Sequence, residues 1–125
     1  MKTRFSYAGI RVKDLDESIE FYTEVLGMKV VDRAKIPIAK GEAANLVSED
    51  DGFQLELNFY EKASKYNSRY LVGEGLDHLA FKADDLDGLI AEAKRMGYPV
   101  VAEMKTEKSR WVYIKDPNGI WIELF

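Results

Sequence analysis

Residues 7–31 read YAGIRVKDLDESIEFYTEVLGMKVV, and residues 78–101 read HLAFKADDLDGLIAEAKRMGYPVV. Laid over one another, Asp14-Leu15-Asp16 falls on Asp85-Leu86-Asp87. One deletion later Gly27 falls on Gly97, and Val30-Val31 on Val100-Val101. The match resumes further along, where DGFQLEL (residues 51–57) lies over NGIWIEL (residues 118–124) and Glu56 meets Glu123. A chain that repeats itself in this way is built from one supersecondary unit used twice. At the front of the repeat Tyr7 stands where the second copy has His78, the only histidine in the chain.

Each copy reads as a strand, a helix and then more strands. The first strand is expected over about residues 5–12, with Ala8, Ile10 and Val12 on one face. Asp14 is placed to cap the helix that follows, with Glu17 three residues on in a capping-box pattern. Ile19, Tyr22, Val25 and Leu26 form an apolar stripe at helical spacing, and Gly27 stops it. The second helix is expected from Asp85 to Met96, with Leu86, Leu89, Ile90, Ala93 and Met96 inward and Gly97 as its stop. FQLELNF alternates as a strand does, and DPNG (residues 116–119) marks a turn between VYIK and IWIELF. Residues 61–75, EKASKYNSRYLVGEG, are polar and glycine-bearing and read as a connector. The expected architecture is one α+β domain. Module one covers about residues 1–60, the connector about 61–75 and module two about 76–125, with helices on one side of the sheets.

Composition narrows the functional classes. The chain has 125 residues, 46% of them hydrophobic, which suits one domain with a real core. A net charge of −4 argues against a nucleic-acid partner, which calls for a basic face. The absence of cysteine excludes disulfide and thiolate chemistry. No apolar run approaches the roughly 20 residues of a membrane helix, and the N-terminal MKTRFSYAGIRV is too polar for a signal peptide. No membrane partner and a cytoplasmic location are therefore expected.

Alternation along strands sorts the side chains by face. Gln54, Glu56 and Asn58 oppose Phe53, Leu55, Leu57 and Phe59. His78, Ala80 and Lys82 oppose Leu79 and Phe81, and Trp121, Glu123 and Phe125 oppose Ile120, Ile122 and Leu124. The apolar sets belong against the helices. The mixed sets carry Glu56 and Glu123, carboxylates among apolar neighbours on strands, where they ordinarily fare poorly. Taken singly, each carboxylate reads as a solvated side chain, and His78 equally as a structural residue or a ligand. Taken together at equivalent repeat positions, they form a donor set for a divalent metal, with a carboxylate available as general base.

IRVKDLDESIEFYTEVLGMKVV, LELN, GLDHLAFKADDL and IKDPNGIWIELF together span nearly the whole chain. In them the sequence resembles the glyoxalase / bleomycin-resistance / extradiol-dioxygenase superfamily, the vicinal oxygen chelate proteins, and glyoxalase I within it. The resemblance implies paired βαβββ modules whose sheets curl into a cup, usually in a homodimer. It also implies metal positions at Tyr7, Glu56, His78 and Glu123, where glyoxalase I has His, Glu, His and Glu. Three match, and Tyr7 departs. With one histidine, the chain lacks the two that an extradiol dioxygenase needs. The resemblance then implies a divalent ion (Ni, Zn, Co, Mn or Fe) held by Glu56, His78 and Glu123. It implies Glu56 or Glu123 as the base that converts a hemithioacetal of methylglyoxal to a thioester, the metal holding both oxygens of an enediolate. Tyr7, Arg11, Asn58 and Trp121 would line the pocket for this small-molecule substrate. Arg11 matches an arginine used towards the glutathione carboxylate, whereas Tyr60 replaces its asparagine partner. Lys62, Lys65 and Arg69 are alternative anion-binding groups. Two other activities fit the same family: a metal-free binder of the bleomycin-resistance type and a thioester epimerase.

Overall fold

The computed structural model describes residues 2 and 4–125. The chain divides into two compact units, the first ending at Arg69 and the second starting at Tyr70. The division falls inside the polar connector. Its first part folds back on unit one, where the buried Ser64 gives its hydroxyl to the Ala39 carbonyl at 2.6 Å. Asn67 donates to the Tyr60 carbonyl at 2.9 Å.

Unit one contains strand β1 (Ala8–Arg11), helix α1 (Leu15–Glu20) with a π-helical continuation (Phe21–Val25), and strands β2 (Lys29–Ile36), β3 (Gly41–Val47) and β4 (Gln54–Tyr60). The strand order is β1-β4-β3-β2, with β1 parallel to β4 and the remaining pairs antiparallel. Unit two contains β5 (His78–Phe81), α2 (Leu86–Arg95), β6 (Ala102–Lys105), β7 (Arg110–Lys115) and β8 (Trp121–Leu124). Its order, β5-β8-β7-β6, and its strand directions are the same. Each is an open sheet of the βαβββ kind that the repeat requires. No helix among the described residues is long and apolar enough to cross a membrane.

The caps explain why the two helices start and stop together. The Asp14 carboxylate accepts from the Glu17 amide at 2.9 Å, and Asp85 accepts from the Gly88 amide at 3.0 Å. Each satisfies an amide that has no partner within its helix. Gly27 and Gly97 take φ of +73° and +97°, a region that costs glycine nothing.

Between the caps, the first helix departs from the expected stripe. Ile19 and Leu26 are only half-buried, while Leu15, Ser18 and Phe21 are buried beside Tyr22 and Val25. The π turn causes this. The Leu26 amide reaches back to the Phe21 carbonyl at 3.3 Å, which breaks the 3.6-residue period. Consecutive Phe21 and Tyr22 both become fully buried, their rings meeting edge-on at 5.1 Å. This helix packs on β3 and β4, against Ala44, Leu46, Leu55 and Leu57 of the core. In α2 the five expected inward residues are the non-exposed ones, although only Ala93 is fully buried. Two further readings give way. The first strand begins at Ala8 rather than near residue 5, and Phe53 lies before β4, where it is largely exposed and shares no core face.

Unit two closes on the DPNG turn. Buried Asp116 accepts from the Asn118 and Ile120 amides, each at 2.8 Å, and from the Asn118 side chain at 2.9 Å. This turn fixes the register of β7 against β8, and with it the neighbours of Glu123.

Candidate functional site

The backbone register is the same in the two units. Ala8 pairs with Leu55 and Gly9 with Glu56; Leu79 pairs with Ile122 and Ala80 with Glu123. Tyr7 and His78 therefore precede equivalent positions on parallel strand pairs, each beside the strand that carries its unit's glutamate.

In unit two the register brings functional groups into contact. His78 Nε2 lies 3.0 Å from Glu123 Oε2, and the Tyr113 hydroxyl donates to the same oxygen at 3.3 Å. On the other side of the ring, Nδ1 lies 2.6 Å from Asp77 Oδ2. The Tyr113 ring meets the His78 ring edge-on at 5.9 Å and the Trp121 ring at 5.4 Å. Lys115 sits with Nζ 5.5 Å over the Trp121 ring. The hydrogen bond that Asp77 accepts from the ring raises the His78 pKa above its ordinary 6.5, and the charge of Glu123 adds to this. Burial raises that of the Tyr113 phenol, again helped by Glu123.

Asp77 and Tyr113 were not among the expected site residues. Tyr113 was accessible from the sequence, because a DPNG turn that pairs Lys115 with Trp121 also pairs Tyr113 with Glu123. Asp77 precedes the strand and carries no periodic signal.

Unit one shows a sparser arrangement. Glu56 is half-buried and accepts no hydrogen bond or ion pair from any described residue, and Tyr7 is 47% exposed. A Cβ on Gly9 would stand 3.1 Å from the Asn58 side-chain nitrogen and 3.9 Å from Glu56 Oε1, so this glycine keeps the backbone close to both. Asn58 reaches the Ile10 carbonyl at 3.5 Å, and Arg11 donates to Ser68 at 3.1 Å. Tyr60 stacks with Tyr66 at 5.4 Å, and Lys65 lies over the Tyr66 ring.

The donor chemistry of unit two fits a divalent ion in part. His78 Nε2 and Glu123 Oε2, 3.0 Å apart, are a nitrogen and an oxygen donor of the kinds that zinc and related divalent ions take. Asp77 on Nδ1 stands where a carboxylate would orient a metal-bound imidazole. Among the described residues, no three His, Cys, Asp or Glu side chains are already gathered around one point.

The family model for the glyoxalase/bleomycin resistance protein/dioxygenase superfamily matches residues 4–124. The chain belongs to that superfamily. It is 36% identical to a lactoylglutathione lyase of Arabidopsis thaliana over 97% of this chain and 43% of that protein. It is 35% identical to the uncharacterised YwbC of Bacillus subtilis over 100% of this chain and 98% of that one. A lactoylglutathione lyase of Neisseria meningitidis is 31% identical over 96% of this chain and 88% of its own. The chain thus spans less than half of the plant enzymes it matches, 43% and 44% of two of them, but nearly all of the bacterial ones. Among solved structures, the trypanothione-dependent glyoxalase I of Leishmania major superposes with a TM-score of 0.75 at 32% identity, covering 98% of this chain and 86% of that one. A glyoxalase I variant from Zea mays superposes at 0.78 with 30% identity, over 97% of this chain and 43% of that one.

Proposed function

We propose that this protein is a metal-dependent lyase of the glyoxalase I type, acting as a homodimer on the hemithioacetal of methylglyoxal and a thiol. The observation that carries the reading is the Asp77–His78–Glu123 line, an imidazole held by one carboxylate and set beside another. Similarity to lactoylglutathione lyases over almost the whole chain supports the reaction class. Glu56, the repeat equivalent of Glu123, is the second carboxylate of the ligand set that the family resemblance implies. Such a set suits Ni, Zn, Co, Mn or Fe.

A divalent ion bound there would supply Lewis acidity toward the substrate. The protein would do the rest. His78 and one glutamate would hold the ion, and Asp77 would keep the imidazole oriented. The other glutamate takes the proton from the hemithioacetal carbon and returns it to the adjacent carbon, while the hydroxyl proton on the first carbon's oxygen passes to the oxygen of the second, so the hemithioacetal becomes the isomeric hydroxy thioester with every atom retained. Tyr7 stands in the place of the fourth ligand and offers a hydroxyl toward substrate or water. Arg11, Asn58 and Trp121 line the pocket, with Arg11 facing an anionic group of the thiol.

The assay is direct. Protein loaded with nickel or zinc is mixed with methylglyoxal and glutathione, and then with trypanothione or a plain thiol such as mercaptoethanol, while thioester absorbance is followed. Turnover that chelation abolishes and metal restores is the expected result. No turnover with any thiol, together with tight binding of a hydrophobic ligand by metal-free protein, would establish the bleomycin-resistance type of binder instead.

A further inference from the structure

We infer that Ser68 is a positioning residue for Arg11, and that it makes this arginine selective for a thiol that carries a carboxylate. The selectivity rests on the lyase reading above, whereas the hold of Ser68 on Arg11 does not. All the residues involved lie in unit one.

Arg11 stands on the face of its sheet that carries Glu56. Ile10, paired with Leu57, is buried with the core, so Gly9 and Arg11 project from the opposite face. Gly9 pairs with Glu56 and Arg11 with Asn58, which sets Arg11 two residues further along that face than the level of the glutamate. Arg11 donates from Nη1 to the Ser68 hydroxyl at 3.1 Å, across 57 residues of sequence. The contact exists because residues 61–68, which follow β4, fold back toward β1.

That return is fixed by a chain of hydrogen bonds. The Glu61 amide donates to the Lys40 carbonyl at 2.8 Å, and the Ser64 amide to the Glu61 carbonyl at 2.9 Å. The buried Ser64 hydroxyl donates to the Ala39 carbonyl and accepts from the Tyr66 amide at 3.1 Å. Asn67, next to Ser68, is held twice. Its backbone amide meets the Ser64 carbonyl at 3.1 Å, and its side chain meets the carbonyls of Tyr60 and Glu61 at 2.9 and 3.2 Å. The Tyr60 ring packs on that of Tyr66, tilted by 36°. Tyr60 occupies the place where an asparagine would partner Arg11. Here its ring secures the returning segment, and the segment supplies the Ser68 hydroxyl instead.

A guanidinium is a planar fork of five N–H donors, and it grips a carboxylate well only when the plane is set in advance. Ser68 accepts from one donor and so orders the end of a long side chain before any ligand arrives. A thiol with a carboxylate gains from that order, and a neutral thiol does not.

The test uses the whole chain and two readouts. Kinetics of nickel-loaded wild type, Ser68→Ala and Ser68→Thr are measured with the hemithioacetals of methylglyoxal formed from glutathione and from mercaptoethanol. Calorimetry gives the dissociation constants of S-hexylglutathione for the same proteins. Ser68 is exposed, so neither substitution disturbs the core. In Ser68→Ala, the kcat/KM preference for glutathione over mercaptoethanol should fall about tenfold, through KM, with S-hexylglutathione weakened equally. Ser68→Thr, which keeps the hydroxyl, should restore both to within about twofold, and in an Arg11→Met background Ser68→Ala should add less than about twofold. An unchanged preference in Ser68→Ala, a loss carried by kcat, or the same loss without Arg11 would overturn the inference and leave the lyase reading standing. A wild type that turns over neither hemithioacetal ends the lyase reading, and the S-hexylglutathione constants then decide on Ser68 alone. A wild type that also fails to bind S-hexylglutathione overturns both.

Discussion

The two units share a topology and a register, yet their helices and their glutamates have different surroundings. Both bury strand side chains fully, Leu46 and Leu57 in unit one and Val112, Ile114, Ile122 and Leu124 in unit two. The packing differs in the helices, where the π turn of unit one presents Phe21 and Tyr22 to the core at once. The glutamate of unit one accepts no hydrogen bond from any described residue. Unit two has a helix with one fully buried side chain, Ala93, and a glutamate held between a histidine and a tyrosine. A repeated backbone can carry different chemistry because strand pairing is set by backbone groups, while the chemistry depends on the two or three side chains the register brings together.

The largest expected effect separates the two glutamates. The variant, Glu56→Gln or Glu123→Gln, that removes the proton carrier should lower kcat with the hemithioacetal by a factor of about 10² to 10⁴ while still binding metal, and the variant that removes the ligand should lose metal first and activity as a consequence. Steady-state kinetics beside metal analysis reads both. Identical behaviour of the two variants would remove the distinction between the two glutamates.

The contrast in packing gives the next largest effect. Tyr22→Ala opens a cavity in a closed core and should cost about 3–5 kcal/mol. Leu89→Ala, on the half-exposed face of α2, should cost about 1–2 kcal/mol, since part of that surface already meets water. Urea denaturation compares them, and equal losses would mean that α2 is as well covered as α1.

Much of this was legible in the sequence, and the parts that were not have identifiable causes. The repeat, both caps and both stop glycines could be read because each depends on a local residue: Asp14 and Asp85, Gly27 and Gly97. The inward face of α2 followed from periodicity, because that helix keeps one period throughout. The face of α1 did not, because a π turn changes the period partway and no residue type announces it. Phe53 was placed in the core by extending alternation one residue beyond the strand that obeys it. His78 and Glu123 were brought together as expected. Tyr113 was within reach of register arithmetic, while Asp77 owes its role to a rotamer outside any periodic element.

The smallest expected effect concerns the proton on His78. As the only histidine, its ring signals are unambiguous in a proton NMR titration of metal-free protein. Asp77 and Glu123 favour the charged ring, so the midpoint should lie above 6.5. The sign of the linkage follows. Protonated His78 stabilises the fold fully below its unfolded value, and that contribution is lost as pH rises through the raised folded value. A midpoint at or below 6.5 would mean that neither carboxylate holds the ring in solution. Metal competes with that proton, so affinity should rise with pH over the same window.

The most direct measurement is the metal content of the chain purified without an affinity tag, beside His78→Ala. About one divalent ion per chain in the wild type, lost in the variant, is what the account predicts. Wild-type protein that stays metal-free after incubation with nickel, zinc, cobalt, manganese and iron(II), or a variant that keeps the full complement, would contradict it.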